Sequence, residues 1–572
     1  MGAPQARPGP QVSQRSEPPE RPRAEDSVSH RPGAPAAAPR FSVLTPVFET
    51  GPALLEEMLA SVASQSFGDW EHVLVDDGSA SPQVWEWLVA AARADGRVRV
   101  VRRELNGGIV AATNDALAVA RGEFVALLDH DDVLHSGALA AVSAALDAHD
   151  DVDFVYTDED IITMAGRRSS PYRKPDWSPE TLCSQMYTCH LSVFRRSVVE
   201  AVGGYRAGFD GSQDYDLTLR VGEVARRVVH VPEVLYHWRA APTSVAGNAD
   251  AKPHAFENAR RAVGAHLARV GFEGVAVRDR ERVNLCHIEP RLVSEPLVSV
   301  VLPTAGSVRE VRGRWRVLVE GCVESLLERA TWGRWELVLV VDPRTDAHVV
   351  ERVRSLARER LRLVPSRGEF NFAAMVNAGV AAARGEQVLL LNDDTEVLSP
   401  DFMERLLVYS LQPDIGAVGA KLYFGDGRIQ HVGVVAFEGR PAHCYWGYRG
   451  SSPGYFANAR FARNCLAVTG ACLMVGKDKY DEVGGMSTSF PISYNDVDLC
   501  LKLGHRGYRT VVNPNAELHH FESSTRVGLE LPPDELALLR RRWASVLDRD
   551  PYYGAGFAPE TPNFVSVGGA GG

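Results

Sequence analysis

A long internal repeat constrains this chain more than any other feature. TNDALAVARGEFVALLDHDD, ending at Asp132, returns as MVNAGVAAARGEQVLLLNDD, ending at Asp394. Laying Arg121 on Arg384 sets an offset of 263 residues, which puts Asn114 on Asn377 and Asp131 on Asp394. Upstream, FSVLTPVFETG matches VSVVLPTAG, and WEHVLVDDGS matches WELVLVVDPR. Downstream, VGGYRAGFDGSQDYDLTLR matches VGGMSTSFPISYNDVDLCLK and pairs Asp214 with Asp496. The period far exceeds that of a solenoid, so a whole domain is duplicated.

Within each copy, short β-rich runs alternate with helical segments such as GIVAATNDALAVARG. That alternation predicts an α/β fold with a mainly parallel sheet, whose ligands sit beyond the carboxyl ends of the strands. GGIVAAT lacks the spacing of a dinucleotide fingerprint. The copies are expected over residues 40–239 and 296–525, joined by a helical linker over 240–295 that contains AFENARRAVGAHLARV. Residues 1–39, rich in Pro, Ala, Arg and Ser, are expected to be disordered because they bury too little surface to offset chain entropy. Residues 526–572 are expected as a helix, PPDELALLRRRWASVLDRD, followed by a loose tail after about Phe557.

LLDHDDVL, with Asp129, Asp131 and Asp132, ends one strand of the first copy; LLLNDDTEVL, with Asp393 and Asp394, ends its counterpart. Crowded carboxylates need water or a cation. Each copy adds a carboxylate in Q/N-D-x-D-L and then a histidine: His237 in LYHWR, and His519 or His520 in LHHFES. Oxygen donors with few thiols suit Mg²⁺ or Mn²⁺, and an imidazole tilts the choice towards Mn²⁺. A divalent ion beside a diphosphate, with a separate carboxylate as base, points to group transfer from a nucleotide diphosphate. The formal net charge of -11 argues against nucleic acid as a partner. Eight cysteines without CxxC pairs or zinc spacing fit a reducing cytoplasm. No apolar run is long enough to span a membrane, and the start lacks a signal-peptide core, so membrane contact is expected to be peripheral at most, on the cytoplasmic side.

These motifs together resemble the family 2 glycosyltransferases of GT-A fold, in a tandem form found in bacterial surface-polysaccharide synthesis. The resemblance covers about residues 41–525 and rests on VDDGS, DHD, QDYDL and YHWR in the first copy. It implies two tandem GT-A domains with mixed, mainly parallel sheets, acting on a nucleotide-diphosphate sugar and a glycan or lipid-linked glycan acceptor. It implies Thr45, Pro46, Asp76, Asp77 and Asn114 at the nucleotide sugar, Asp129 and Asp131 at the metal and diphosphate, His237 in the metal shell, and Asp214 as catalytic base. In the second copy it implies Thr304, Asp342, Asn377 and Asp393 at the nucleotide sugar, Asp394 and His520 at the metal, and Asp496 as base. Counting from Pro232 and Pro514 pairs His237 with His519 instead; the H-x-E-S ending selects His520. The second copy departs from the pattern at Asn392, where the first acid is usual, and at VVDPR, which has lost Gly-Ser.

Trp177, Gln430, His431 and His443 are candidates for the acceptor site. Asp216 and Asp498 are expected to brace their helices. Two rival readings are a single catalytic copy beside a glycan-holding one, and a nucleotidyltransferase, which would carry a Gly- and Lys-rich loop that FSVLTPVFETG does not provide.

Overall fold

The structure, a computed structural model, describes residues 38–240, 253–282, 284–521, 532–554, 556–558 and 560–565. Residues 1–37 of the tail expected over 1–39, part of the linker, Glu522 and Ser523 of the HHFES ending, and the VGGAGG end lie outside the described residues.

The first sheet contains β1 (Phe41–Val47), β2 (Trp70–Asp76), β3 (Val98–Arg102), β4 (Phe124–Leu127), β5 (Val133–Leu134), β6 (Val152–Ile162), β7 (Arg168–Tyr172), β8 (Ser192–Arg195) and β9 (Arg227–Arg239). Its order is β3-β2-β1-β4-β8-β6-β9-β5, with β7 beside β6. β3, β2, β1 and β4 run parallel. β8 is antiparallel to β4 and β6, β6 and β9 are parallel, and β5 is antiparallel to β9.

A linker hairpin, β10 (Gly274–Arg278) and β11 (Cys286–Pro290), precedes the second copy. That copy contains β12 (Val298–Thr304), β13 (Val308–Val311), β14 (Arg314–Val317), β15 (Trp335–Val341), β16 (Leu361–Pro365), β17 (Gln387–Leu391), β18 (Thr395–Val397), β19 (Ile415–Tyr423), β20 (Ile429–His431), β21 (Val434–Phe437), β22 (Arg440–His443), β23 (Arg463–Asn464), β24 (Cys472–Gly476) and β25 (Arg509–His520). Its main sheet runs β16-β15-β12-β17-β24-β19-β25-β18, the same order as the first with each strand replaced by its counterpart. The duplication is therefore one of topology as well as of sequence.

The central strands are buried on both faces, which is why β1 (FSVLTPV) and β12 (VSVVLPT) read as near-continuous apolar runs. Helix Ile109–Val119 covers β1 and β2, and helix Phe372–Ala382 covers β12 and β15. The repeated ARGE segment is a structural device. Glu71 accepts the backbone N–H and guanidinium of Arg121, and Glu336 does the same for Arg384. Ser42 and Ser299 complete the knot by accepting the N–H of Gly122 and Gly385.

The linker, expected as helical, is helix Pro253–Arg269 followed by the β10–β11 hairpin; Val275 and Val277 alternate as a strand requires. Phe272 packs edge-on against Tyr409, with ring centroids 5.4 Å apart, so the linker touches the second copy. The two copies also join through Glu180, whose carboxylate accepts the Arg509 guanidinium at 2.7 Å and the Asn464 amide at 2.6 Å. The chain expected to be loose after about Phe557 packs as far as Phe564, which is 6% exposed and stacks on Tyr445 and Tyr455. Burial of that aromatic ring outweighs the polar composition around it. No helix among the described residues is long and apolar enough to cross a membrane.

Candidate functional site

Asp214 and Asp496 occupy the same place in the two copies, the first turn of helices Gln213–Gly222 and Asn495–His505. A helix N-terminus favours an ionised carboxylate there. Asp214 is half-buried; burial raises its pKa and so does the nearby charge of Asp129, while His190 and the Tyr215 N–H hold it down. One oxygen of Asp496 accepts the N–H of Gly470 at 2.8 Å. Two residues on, Asp216 and Asp498 are fully buried braces. Asp216 binds Arg206 and Arg220, whereas Asp498 binds Trp543 and Arg542 from the C-terminal helix Pro533–Leu547.

The acids lie at the carboxyl ends of β4 and β17. In the first copy, single ligand atoms of Asp129, Asp132 and His190 lie within 4.8 Å of one another, the one such group of three among the described residues. Asp132 accepts the Tyr236 hydroxyl at 2.6 Å and the Arg239 N–H at 2.7 Å. Asp131 is half-buried; burial raises its pKa, as does Asp129, against the pull of His130 and Arg239. In the second copy Asp393 accepts the Thr304 hydroxyl at 2.6 Å, and burial together with Asp394 pushes its pKa up to about 7. Asp394 Oδ1 lies 3.0 Å from His520 Nε2. His520 Nδ1 lies 2.7 Å from Gln430 Oε1, so Nδ1–H donates and Nε2 faces Asp394 and the Asn392 amide. A ring nitrogen fixed by a hydrogen bond from its other nitrogen is the usual arrangement of a metal-binding histidine. Carboxylate oxygens with one imidazole in each copy fit a hard divalent cation.

His237 is placed elsewhere. Its Nδ1 bonds Asp160 at 2.7 Å, and Asp160 also takes the Arg168 guanidinium. Strand register explains this. His237 faces Val133 across β5 and β9, while His519 and His520 face Glu396 and Thr395 across β18 and β25. Since Val133 is the counterpart of Glu396, His237 corresponds to His519, which bonds the Phe424 carbonyl, and His520 corresponds to Trp238. Neighbouring residues on a strand point to opposite faces, so a shift of one residue moves an imidazole from one side of the sheet to the other.

Other expected site residues are engaged with the protein. Asn114 clamps the N–H and carbonyl of Tyr205, and Asn377 clamps those of Met486 in the same way. The glycines before them need this: Gly204 and Gly485 have φ of +65° and +64°, and an added Cβ would lie 2.8 and 2.7 Å from the asparagine oxygens. Asp77 accepts the N–H groups of Gly107 and Gly108 and pairs with Arg103. Asp76 accepts the Ser79 N–H, and hydrogen bonds from Arg344 lower the pKa of Asp342. The Thr45 hydroxyl meets the buried His72, whose pKa burial lowers to about 3. Pro46 lies beside Thr45 in β1. By register Thr304 corresponds to Val47, not Thr45.

Trp177 packs edge-on against Phe154 in the core. Gln430 is the residue that orients His520. His431 Nδ1 lies 2.8 Å from His443 Nδ1, and its Nε2 accepts the Gly433 N–H, so burial and the neighbouring His443 keep it neutral. Sequence reasoning missed His190. Its counterpart by register is Ala471, so comparing the copies conceals it. Its one signal is its position just before β8, the partner of the acid-bearing strand.

Residues 42–203 match the family Glycosyl transferase family 2, and residues 296–545 match Glycosyltransferase like family 2. The chain is 40% identical over 540 residues to the uncharacterized protein y4gI of Sinorhizobium fredii, covering 92% of this chain and 58% of the relative. It is 35% identical over 520 residues to the O-antigen biosynthesis protein RfbC of Myxococcus xanthus, covering 90% and 40%. It is 30% identical over 210 residues to a PGL/p-HBAD biosynthesis glycosyltransferase of Mycobacterium bovis, covering 35% and 78%. A crystal structure of Staphylococcus aureus TarS in complex with UDP-GlcNAc aligns at 22% identity and a TM-score of 0.34, over 40% of this chain and 66% of that one. The chain belongs to the family 2 glycosyltransferases, with two tandem copies of the family's domain. It spans about half the length of the first two relatives.

Proposed function

We propose that the chain transfers sugars from nucleotide-diphosphate sugars to a growing bacterial cell-surface glycan. O-antigen, capsule or cell-wall polysaccharide are the acceptor classes, and the name of the Myxococcus relative favours the first. One observation carries the reading: each copy sets an acidic strand end and a first-turn carboxylate at the same topological place. Asp214 and Asp496 take the proton of the acceptor hydroxyl as it attacks the anomeric carbon from the face opposite the leaving diphosphate. Asp129 and Asp131, and Asp394 with His520, hold Mn²⁺ or Mg²⁺. When bound, that ion neutralises charge on the leaving diphosphate.

The test makes Asp214→Asn and Asp496→Asn separately and follows release of nucleoside diphosphate with acceptor present. Each change is expected to lower turnover at least about 100-fold at its own site. Full activity in both variants would remove the base assignment. A second reading, with one catalytic copy and one that holds glycan, is favoured by Asn392 in the place of Asp129 and Val341 in the place of Asp76. It predicts that only one of the two substitutions matters.

A further inference from the structure

The two copies differ in where an imidazole can come from. In the second, the site-facing position near the end of β25 is His520, and the position before β24 is Ala471. In the first, the matching positions are Trp238 and His190. The histidine stands before the start of one strand in the first copy and near the end of another in the second, on the same edge of the sheet.

His190 is held from several directions. Its backbone N–H donates to Glu159 Oε2 at 2.8 Å, and its carbonyl accepts Lys174 Nζ at 2.6 Å. Lys174 and Glu159 are themselves a buried ion pair at 3.2 Å, so both sides of the His190 peptide rest on one charged clamp. The imidazole stacks on Tyr236, with centroids 4.6 Å apart and planes 17° apart. Tyr236 in turn donates its hydroxyl to Asp132 and accepts the N–H of Asp129. One ring therefore fixes the orientation of the imidazole and the spacing of the two acids beside it. A ligand set needs this support from its surroundings to keep its geometry.

The geometry points to His190 as the imidazole ligand of the first copy's cation, grouped with Asp129 and Asp132 and adding to the Asp129 and Asp131 of the proposed function, in the role that His520 fills in the second copy. Lys174 and Glu159 are its positioning residues, and His237 lies outside the set. The inference rests on the reading that the strand-end acids hold a divalent ion.

The experiment uses the full chain carrying Asp394→Asn and His520→Ala, which silences the second copy, and Mn²⁺ alone as the probe. Electron paramagnetic resonance reports free Mn²⁺, and spin-echo modulation reports a coordinated nitrogen. The parent is expected to bind one Mn²⁺ with nitrogen modulation. His190→Ala is expected to weaken binding at least about 10-fold and to abolish the nitrogen signal; His237→Ala is expected to keep both. Retention of the nitrogen signal in His190→Ala, or its loss in His237→Ala, overturns the assignment. Should His190→Ala lose binding through misfolding, His190→Gln decides the matter: it must bind Mn²⁺ without nitrogen modulation, and failure to bind counts against the assignment. If Asp129→Asn abolishes binding while His190→Ala does not, the cation reading stands and His190 is excluded. If the parent binds no Mn²⁺, both fall.

Discussion

Nε2 of His520 lies 3.0 Å from Oδ1 of Asp394, while Nδ1–H of the same ring donates to Gln430. An imidazole nitrogen and a carboxylate oxygen that close share a proton or a cation. Gln430 decides which nitrogen faces the acid. Gln430→Leu is therefore expected to lower Mn²⁺ affinity at the second copy about 10- to 100-fold. Titration with Mn²⁺ followed by electron paramagnetic resonance checks this, and unchanged affinity would show that the ring needs no such partner.

The C-terminal helix supplies part of the second site. Trp543 Nε1 donates to Asp498 at 3.0 Å, two residues from Asp496, and Glu535 accepts the Ser493 N–H at 2.8 Å. In the first copy Arg206 and Arg220 do the bracing from within. Trp543→Phe keeps an aromatic ring but removes the indole N–H donor with its five-membered ring, and should cost about 1–3 kcal/mol. Denaturant unfolding measures the loss, and nucleoside diphosphate release by the Asp496 copy should fall while that of the Asp214 copy holds.

Glu180 joins the copies through Arg509, and both groups are largely out of solvent. Glu180→Ala leaves Arg509 with Asp414 alone and is expected to cost about 3–5 kcal/mol, because a mostly buried charge loses its main partner. Glu180→Leu with Arg509→Met should recover much of that loss. Thermal melts of the parent and the two variants test the ordering.

Asp550 is buried and accepts the N–H groups of Ala436 and Tyr552. Burial pushes its pKa up to about 6 from an ordinary 3.8. The folded chain then binds more protons than the unfolded chain between about pH 4 and 6, so this residue's contribution to stability falls as pH rises through that window, by on the order of 3 kcal/mol. Asp550→Asn does not titrate. The melting temperature of that variant relative to the parent should rise from pH 4 to pH 7, and a constant difference would show that folding leaves the Asp550 pKa unchanged.

Much of this protein was legible without coordinates. The repeat, the strand–helix alternation and the acidic strand ends depend on residue order and on side-chain patterns within single elements. So do the first-turn positions of Asp214 and Asp496, and the sheets follow from them. Asn114 and Asn377 shared those same repeated segments, yet their amides close a turn about a hundred residues away, and no local pattern distinguishes a clamp from a ligand contact.

The histidines mark the boundary most sharply. Sequence determined that a histidine follows each Q/N-D-x-D-L segment near the end of a long strand. Only tertiary structure decided which of them meets the acids, because β5 and β18 set the register of β9 and β25 from far along the chain. With side chains alternating every residue, that register turns His520 towards Asp394 and His237 towards Asp160. His190 reaches Asp129 and Asp132 through the antiparallel pairing of β8 with β4, a contact between segments that share no motif.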